Sequence, residues 1–205
     1  RGINLEYFNT SNVSDKKLNI LKASWKIDKK NFIILLPGRL TRWKGQEMFI
    51  ESLSLLKEEH NKTNFHAIIL GSDQGREVYS KTLSLLVERY RLKEKITFIN
   101  SCKEMPLAYK LSDLVISSSI EPEAFGRVAV EAQAMKKPVV ASDIGGSTET
   151  VLNGKSGLFY RYNDQKDLAK AINKIMEMDK ESLSLMGEQG RRNVEKKFNV
   201  DQMCQ

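Results

Sequence analysis

Residues 32–45 read Phe32-Ile33-Ile34-Leu35-Leu36-Pro37-Gly38-Arg39-Leu40-Thr41-Arg42-Trp43-Lys44-Gly45. The apolar run from Phe32 to Leu36 is too short for a helix and has no polar face, the pattern of a strand covered on both sides in a parallel sheet. Pro37-Gly38 closes it, and a polar loop carrying Arg39, Arg42 and Lys44 follows. Then the period changes: Phe49, Leu53 and Leu56 stand at i, i+4 and i+7, which draws one apolar stripe along a helix. A buried strand, a cationic loop and an amphipathic helix make the first βα unit.

The same alternation runs outward from this unit along nearly the whole chain. Phe65 to Leu70 reads as the second strand, closed by Gly71, and Leu83, Leu86, Val87 and Tyr90 mark the inward face of the next helix. Lys95 to Ile99 is a third strand, Met105 to Leu111 a short helix, and Leu114 to Ser117 a fourth strand. Phe125 to Met135 reads as a helix of apolar and small residues, Pro138 to Ala141 as the fifth strand and Gly157 to Tyr160 as the sixth. Asn163 is placed to cap a helix that turns Leu168, Ala171, Ile172, Ile175 and Met176 inward. Ser182 to Phe198 is the last helix, its basic residues gathered toward the end that the helix dipole favours. Strands alternating with helices predict an α/β domain, a Rossmann-like parallel sheet flanked by helices. Residues 1–15 read as a hinge segment, 16–180 as the domain, and 181–205 as a C-terminal helix.

Composition narrows the function classes. The 205 residues are 40% hydrophobic and 29% charged, with 33 Lys and Arg against 26 Asp and Glu. Disordered, collagen-like and membrane-spanning chains do not have that balance. The net charge of +7 suits anionic partners such as nucleotides or an anionic lipid surface, or is simply a solvated Lys-rich exterior. The cations are spread along the chain and form no arm of the kind that binds nucleic acid. Cys102 and Cys204 are far apart and form no metal-ligand pair, which fits a reducing cytoplasm. His60 and His66 lie in neither a Gly-rich nor an acidic context, so a histidine triad or histidine metal site is not expected.

Open parallel sheets bind ligands beyond the carboxyl ends of their strands, which directs attention to the loops there. After the first strand, Gly38 permits a tight exit, and Arg39 and Lys44 would stand near a helix N-terminus. Two cations with free backbone N–H groups suit a diphosphate; the plainer reading is a pair of surface charges flanking a turn. Glu123 and Glu131 frame Ala124 to Val130, in which Arg127 is the one charged residue. A carboxylate in such surroundings needs a partner, either a ligand hydroxyl or, structurally, a helix cap and a salt bridge. Gly145-Gly146-Ser147 after the fifth strand lets backbone approach a ligand, or is a plain turn. No G-x-G-x-x-G follows the first strand and no P-loop pattern occurs. An Asp-x-Asp pair for a metal-bound diphosphate is also missing from the sequence.

Taken together, these residues resemble the C-terminal, donor-binding half of the family 4 retaining glycosyltransferases of GT-B fold. Arg1-Gly2-Ile3-Asn4 with Phe8 is similar to that family's hinge sequence, and Gly38-Arg39 with Lys44-Gly45 to its G-R-x4-K-G loop. Glu123-Ala124-Phe125-Gly126 with Glu131-Ala132 resembles its E-x7-E signature. Pro138 to Ser142, Gly145-Gly146, Glu149, Asn153-Gly154 and Gly157-Leu158 follow in the family's order.

The resemblance implies that Arg39 and Lys44 hold the diphosphate of a nucleotide sugar such as a UDP- or GDP-sugar. It further implies that Glu123 bonds the transferred sugar, Glu131 the ribose, and the backbone at Phe125 and Gly126 sugar and phosphate. Gly38, Gly145 and Gly146 would line the donor site, with Asn100 in a base-contacting loop where the family often carries Gly. Ser72-Asp73-Gln74-Gly75 departs from the commoner Gly-Asp-Gly. No metal and no cofactor beyond the substrate itself is implied. The partners implied are the nucleotide sugar and an N-terminal acceptor domain that these 205 residues do not include, with peripheral contact to the inner face of a membrane and no nucleic acid. The expected activity is sugar transfer in glycan, lipopolysaccharide or glycolipid synthesis, with this chain alone inactive. The alternatives are an epimerase or phosphorylase of the same fold, or a non-catalytic nucleotide-sugar or anion-binding module.

Overall fold

The computed structural model describes residues 2–28, 30–75 and 77–199. After α1 (Asp15–Ser24) come β1 (Phe32–Pro37), α2 (Gln46–Glu58), β2 (Phe65–Leu70), α3 (Glu77–Arg89), β3 (Ile96–Ile99) and α4 (Met105–Leu111). The second half runs β4 (Leu114–Ser117), α5 (Arg127–Ala134), β5 (Val139–Ser142), α6 (Ser147–Thr150), β6 (Gly157–Tyr160), α7 (Gln165–Met176) and α8 (Lys180–Lys197). The six strands form one parallel sheet in the order β3-β2-β1-β4-β5-β6.

Strand periodicity sorts the apolar side chains into two cores. Ile34, Leu36, Phe65, Ala67, Ile69, Leu114, Ile116 and Val140 point to one face, where α2, α3 and α7 cover them with Phe49, Leu53, Leu56, Leu83, Ile172 and Ile175. Ile33, Leu35, Ile68, Leu70, Val115, Val139 and Ala141 point to the other, beneath α4 and α5. Both faces of β1, β4 and β5 are covered, which is why these strands carry no polar alternation, whereas the edge strand β3 leaves Phe98 exposed. Residues of the N-terminal segment belong to the second core: Ile3, Phe8 and Val13 are buried there. The Ile3 N–H donates to the Phe198 carbonyl at 2.8 Å, joining this segment to the end of α8. Arg1 and Cys204 lie outside the described residues.

Several boundaries differ from the sequence reading, each for a local reason. Asp164, not Asn163, caps α7: its carboxylate accepts the Asp167 N–H at 2.9 Å from an extended backbone. Asn163 instead takes the left-handed conformation, at φ 56°, and so cannot hold the extended geometry of a cap. The helix expected from Phe125 begins at Arg127, because Gly126 turns left-handed, at φ 66°. Asp179 caps the last helix, its carboxylate accepting the Ser182 N–H at 2.7 Å, which starts α8 at Lys180. The helix α1 is additional to those read from the sequence, and the helix start expected at Gly145-Gly146-Ser147 proves to be the single turn α6.

Candidate functional site

In the sheet order, the chain leaves β1 toward β2 and β3 and returns through β4 on the other side. The exits of β1 and β4 therefore diverge, leaving the crevice in which open α/β sheets bind ligands. A cleft of about 540 Å³ opens there, with Gly38, Arg39, Lys44, Glu123 and Glu131 in its lining.

The loop after β1 is held down before any side chain acts. Gly45 sits at φ 71°, and a Cβ at this position would lie 2.1 Å from the Ser118 carbonyl, so only glycine lets the loop lie against the exit of β4. Across that contact the Ser118 hydroxyl donates to the Lys44 carbonyl and the Ile120 N–H to the Trp43 carbonyl, both at 2.8 Å. Gln46, fully buried, donates its amide to the Arg39 carbonyl at 2.8 Å and accepts from the Tyr79 hydroxyl at 3.2 Å. Burial pushes the Tyr79 phenol up, so it remains a protonated donor.

This framework presents two carboxylates with different partners. The Lys44 ammonium lies 2.7 Å from Glu123 Oε1 and 4.3 Å from the centroid of the Trp43 ring. The Ser119 hydroxyl donates to the same carboxylate oxygen. With side chains only 13% and 18% exposed, Lys44 and Glu123 form a largely desolvated pair. Arg39 is exposed at the mouth, its guanidinium 5.9 Å from the Trp43 ring.

Glu131 is deeper, its side chain 8% exposed, one turn into α5 beyond Arg127. The Tyr109 hydroxyl donates to its Oε2 at 2.7 Å, and Arg127 Nε to its Oε1 at 2.6 Å. Burial, and then the neighbouring Glu131 charge, drive the Tyr109 phenol far above its ordinary value. The proton therefore stays on the tyrosine.

Other residues singled out in the sequence support the cleft or lie apart from it. Gly146 donates its N–H to the Glu123 carbonyl at 2.7 Å, and a Cβ on it would fall 2.6 Å from the Phe125 carbonyl carbon. Gly145 meets the Glu123 backbone as closely, so both glycines back the loop that carries Glu123. The Phe125 ring stacks edge-on against Phe198 at 5.8 Å and faces a second cavity of about 550 Å³ beside Ile3, Tyr7 and Phe8. Arg127 lines both cavities. Gly126 is buried at the start of α5. Asn100 is exposed just beyond the edge strand β3 and lines neither cavity. Tyr109, Ser119 and Trp43 are contributors that the sequence did not single out. Arg127, the one charged residue between the two glutamates, also contributes, and its i, i+4 spacing to Glu131 was the available signal. Among the described residues no three His, Cys, Asp or Glu side chains cluster as metal ligands. No helix among them is long and apolar enough to cross a membrane.

Comparison with known proteins places this geometry. A D-inositol 3-phosphate glycosyltransferase of Corynebacterium jeikeium is 33% identical over 159 residues, covering 76% of this chain and 38% of the relative. Across the most similar curated relatives, the chain spans between 34% and 49% of their length. A glycosyltransferase structure from Rickettsia africae superposes with a TM-score of 0.94 at 32% identity, over 99% of this chain and 53% of that one. Anabaena HepE, solved in complex with UDP and glucose, superposes with a TM-score of 0.88 at 28% identity, over 98% and 53%. The family described as glycosyl transferases group 1 matches residues 19–193. That match spans both loops that build the cleft and every strand of a sheet shared with the C-terminal domains of GT-B enzymes, and the chain accordingly belongs to the group 1 glycosyl transferases.

Proposed function

We propose that this chain is the donor half of a retaining glycosyltransferase, binding a nucleotide diphospho-sugar in the cleft between the exits of β1 and β4. The observation that carries the reading is the pairing of Lys44 with Glu123 in a largely desolvated site, next to Glu131 on the same cleft. An ammonium has three donors, so Lys44 can keep Glu123 and still meet a diphosphate oxygen. Arg39, exposed at the mouth, adds a planar fork to the same anion. Glu123 keeps acceptor capacity for a sugar hydroxyl, and Glu131 for the ribose. The UDP and glucose bound by HepE support a donor of this chemical class.

In the intact enzyme, the bond between the anomeric carbon and the diphosphate breaks, and an acceptor hydroxyl bonds on the same face. The diphosphate leaves with its electron pair, its charge met by Arg39, Lys44 and the N-terminal backbone of α5. Catalysis on this reading is positioning and charge stabilisation, with no covalent step on the protein. Losing Arg39 or Lys44 from the complete enzyme is expected to raise the barrier by about 2.7–4 kcal/mol, as loss of one oxyanion donor does.

Calorimetric titration of the chain with UDP, GDP, ADP and their sugars tests the reading. The expected result is selective binding of one nucleotide, weakened about tenfold or more in Lys44→Ala and Glu131→Ala. Binding of none, or binding that both variants leave intact, overturns it.

A further inference from the structure

The carboxylate of Glu131 is shared between two donors of opposite character. Arg127 holds Oε1 through a side chain that is 80% exposed, and an exposed i, i+4 ion pair fixes orientation weakly. Tyr109 holds Oε2 and is fully buried. Its ring is wedged in the second core, edge-on to Phe8 with centroids 6.0 Å apart and planes at 66°. Phe8 in turn is tied down by its carbonyl, which accepts Arg191 Nη1 at 2.6 Å. No other side chain among the described residues combines full burial with a hydrogen bond to a carboxylate of the cleft. A carboxylate has acceptor sites for about four hydrogen bonds, so two remain open for a ligand after Arg127 and Tyr109 are served.

We propose that Tyr109 is a positioning residue for the donor's ribose: its buried hydroxyl clamps Glu131 Oε2 so that the remaining acceptor sites of the carboxylate meet the two ribose hydroxyls. The proposal rests on the reading of Glu131 as the ribose ligand. The Tyr109 hydroxyl is taken up by Glu131, and it acts through that carboxylate. Without the clamp, the carboxylate pivots about its bond to Arg127, and a mobile acceptor discriminates poorly between a hydroxyl and its absence.

The test uses the whole chain and calorimetry with UDP, GDP and ADP, each beside its 2′-deoxy and 3′-deoxy counterpart. The wild-type chain is expected to prefer the ribose form of the nucleotide it binds by about tenfold, the scale of one hydrogen bond to a charged acceptor. Tyr109→Phe, which keeps the ring and deletes the hydroxyl, is expected to cut that ratio below about threefold. Tyr109→Met, which also lacks the hydroxyl, stands in should the phenylalanine variant not fold. A general loosening of the fold lowers affinity for ribose and deoxyribose forms alike and leaves their ratio unchanged. An unchanged ratio in the variant, whatever the absolute affinity, overturns the role of Tyr109 and leaves the Glu131 reading standing. A wild-type chain that shows no preference, or binds none of the nucleotides, overturns the Glu131 reading and the proposal with it.

Discussion

Lys44 and Glu123 are 79 residues apart in sequence, yet they form the least exposed ion pair of the cleft. The desolvation of each is compensated by the other, so removing one partner leaves a largely buried charge unpaired. Unfolding of Lys44→Met, Glu123→Gln and the double variant in urea is expected to show a coupling of about 1–2 kcal/mol, between surface and fully buried pairs. Coupling within the ~0.3 kcal/mol of simple additivity would mean that the two side chains do not support each other. At this scale the sequence was half legible. Glu123 and Glu131 stood out because carboxylates are conspicuous among Phe125, Val128 and Val130, and Arg39 and Lys44 because they follow a strand-closing glycine. Tyr109 carried no such mark, because it reads as one more apolar position of a short helix. Its partner lies 22 residues away, across a strand, and only the folded sheet brings the two together.

At the scale of elements, the inner strands were legible because burial on both faces leaves continuous apolar runs that no loop can carry. The helix α1 was not, since none of its residues is buried and its apolar positions are sparse. The four residues of α6 form too short a turn to show a period. Caps failed by a single residue where two polar candidates, Asn163 and Asp164, stood side by side and backbone geometry chose between them. The β2–β3 pair at the sheet edge carries a titrating contact, His66 Nε2 lying 2.9 Å from Thr97 Oγ1. Burial, and then the charge of Lys95, lower the pKa of His66 below its ordinary value of 6.5. The unfolded chain therefore takes up this proton first as pH falls. The stability from neutral His66 is fully present above 6.5 and is lost as pH falls through its lower folded value. Urea midpoints measured from roughly pH 7.5 to 5 should decline, and less so in His66→Gln, which keeps a hydrogen-bonding side chain without the titration. An equal decline in both proteins would assign the acid sensitivity elsewhere.

Across the whole molecule, the two ends of the described chain are fastened to each other and to the helix that carries Glu131. Ile3 bridges to Asn199, while Arg191 on α8 donates through Nη1 to the carbonyls of Phe8 at 2.6 Å and Ala134 at 2.9 Å. Its Nε pairs with Glu195 at 2.7 Å, and only 13% of the Arg191 side chain is exposed. A neighbouring buried set reinforces the junction: Asn193 donates to Gln133 Oε1 and to the Thr150 carbonyl, joining α8 to α5 and α6. One guanidinium thus satisfies carbonyls from the N-terminal segment and from the end of α5, and Phe8 is the residue against which Tyr109 packs. Arg191→Met keeps the apolar stem and deletes those donors, leaving two carbonyls without this partner. Hydrogen bonds from a charged donor contribute roughly 1.5–3 kcal/mol each and do not simply add, so a loss of about 2–3 kcal/mol is expected in urea unfolding. Because the N-terminal segment pairs with no strand of the sheet, it is expected to open before the sheet does. Native-state hydrogen exchange should then quicken for residues 2–13 and for Tyr109, while amides of β1 and β4 change only by the global loss. Exchange that quickens uniformly, with the N-terminal segment no more affected than the strands, would show that Arg191 supports the whole fold and does not fasten its ends.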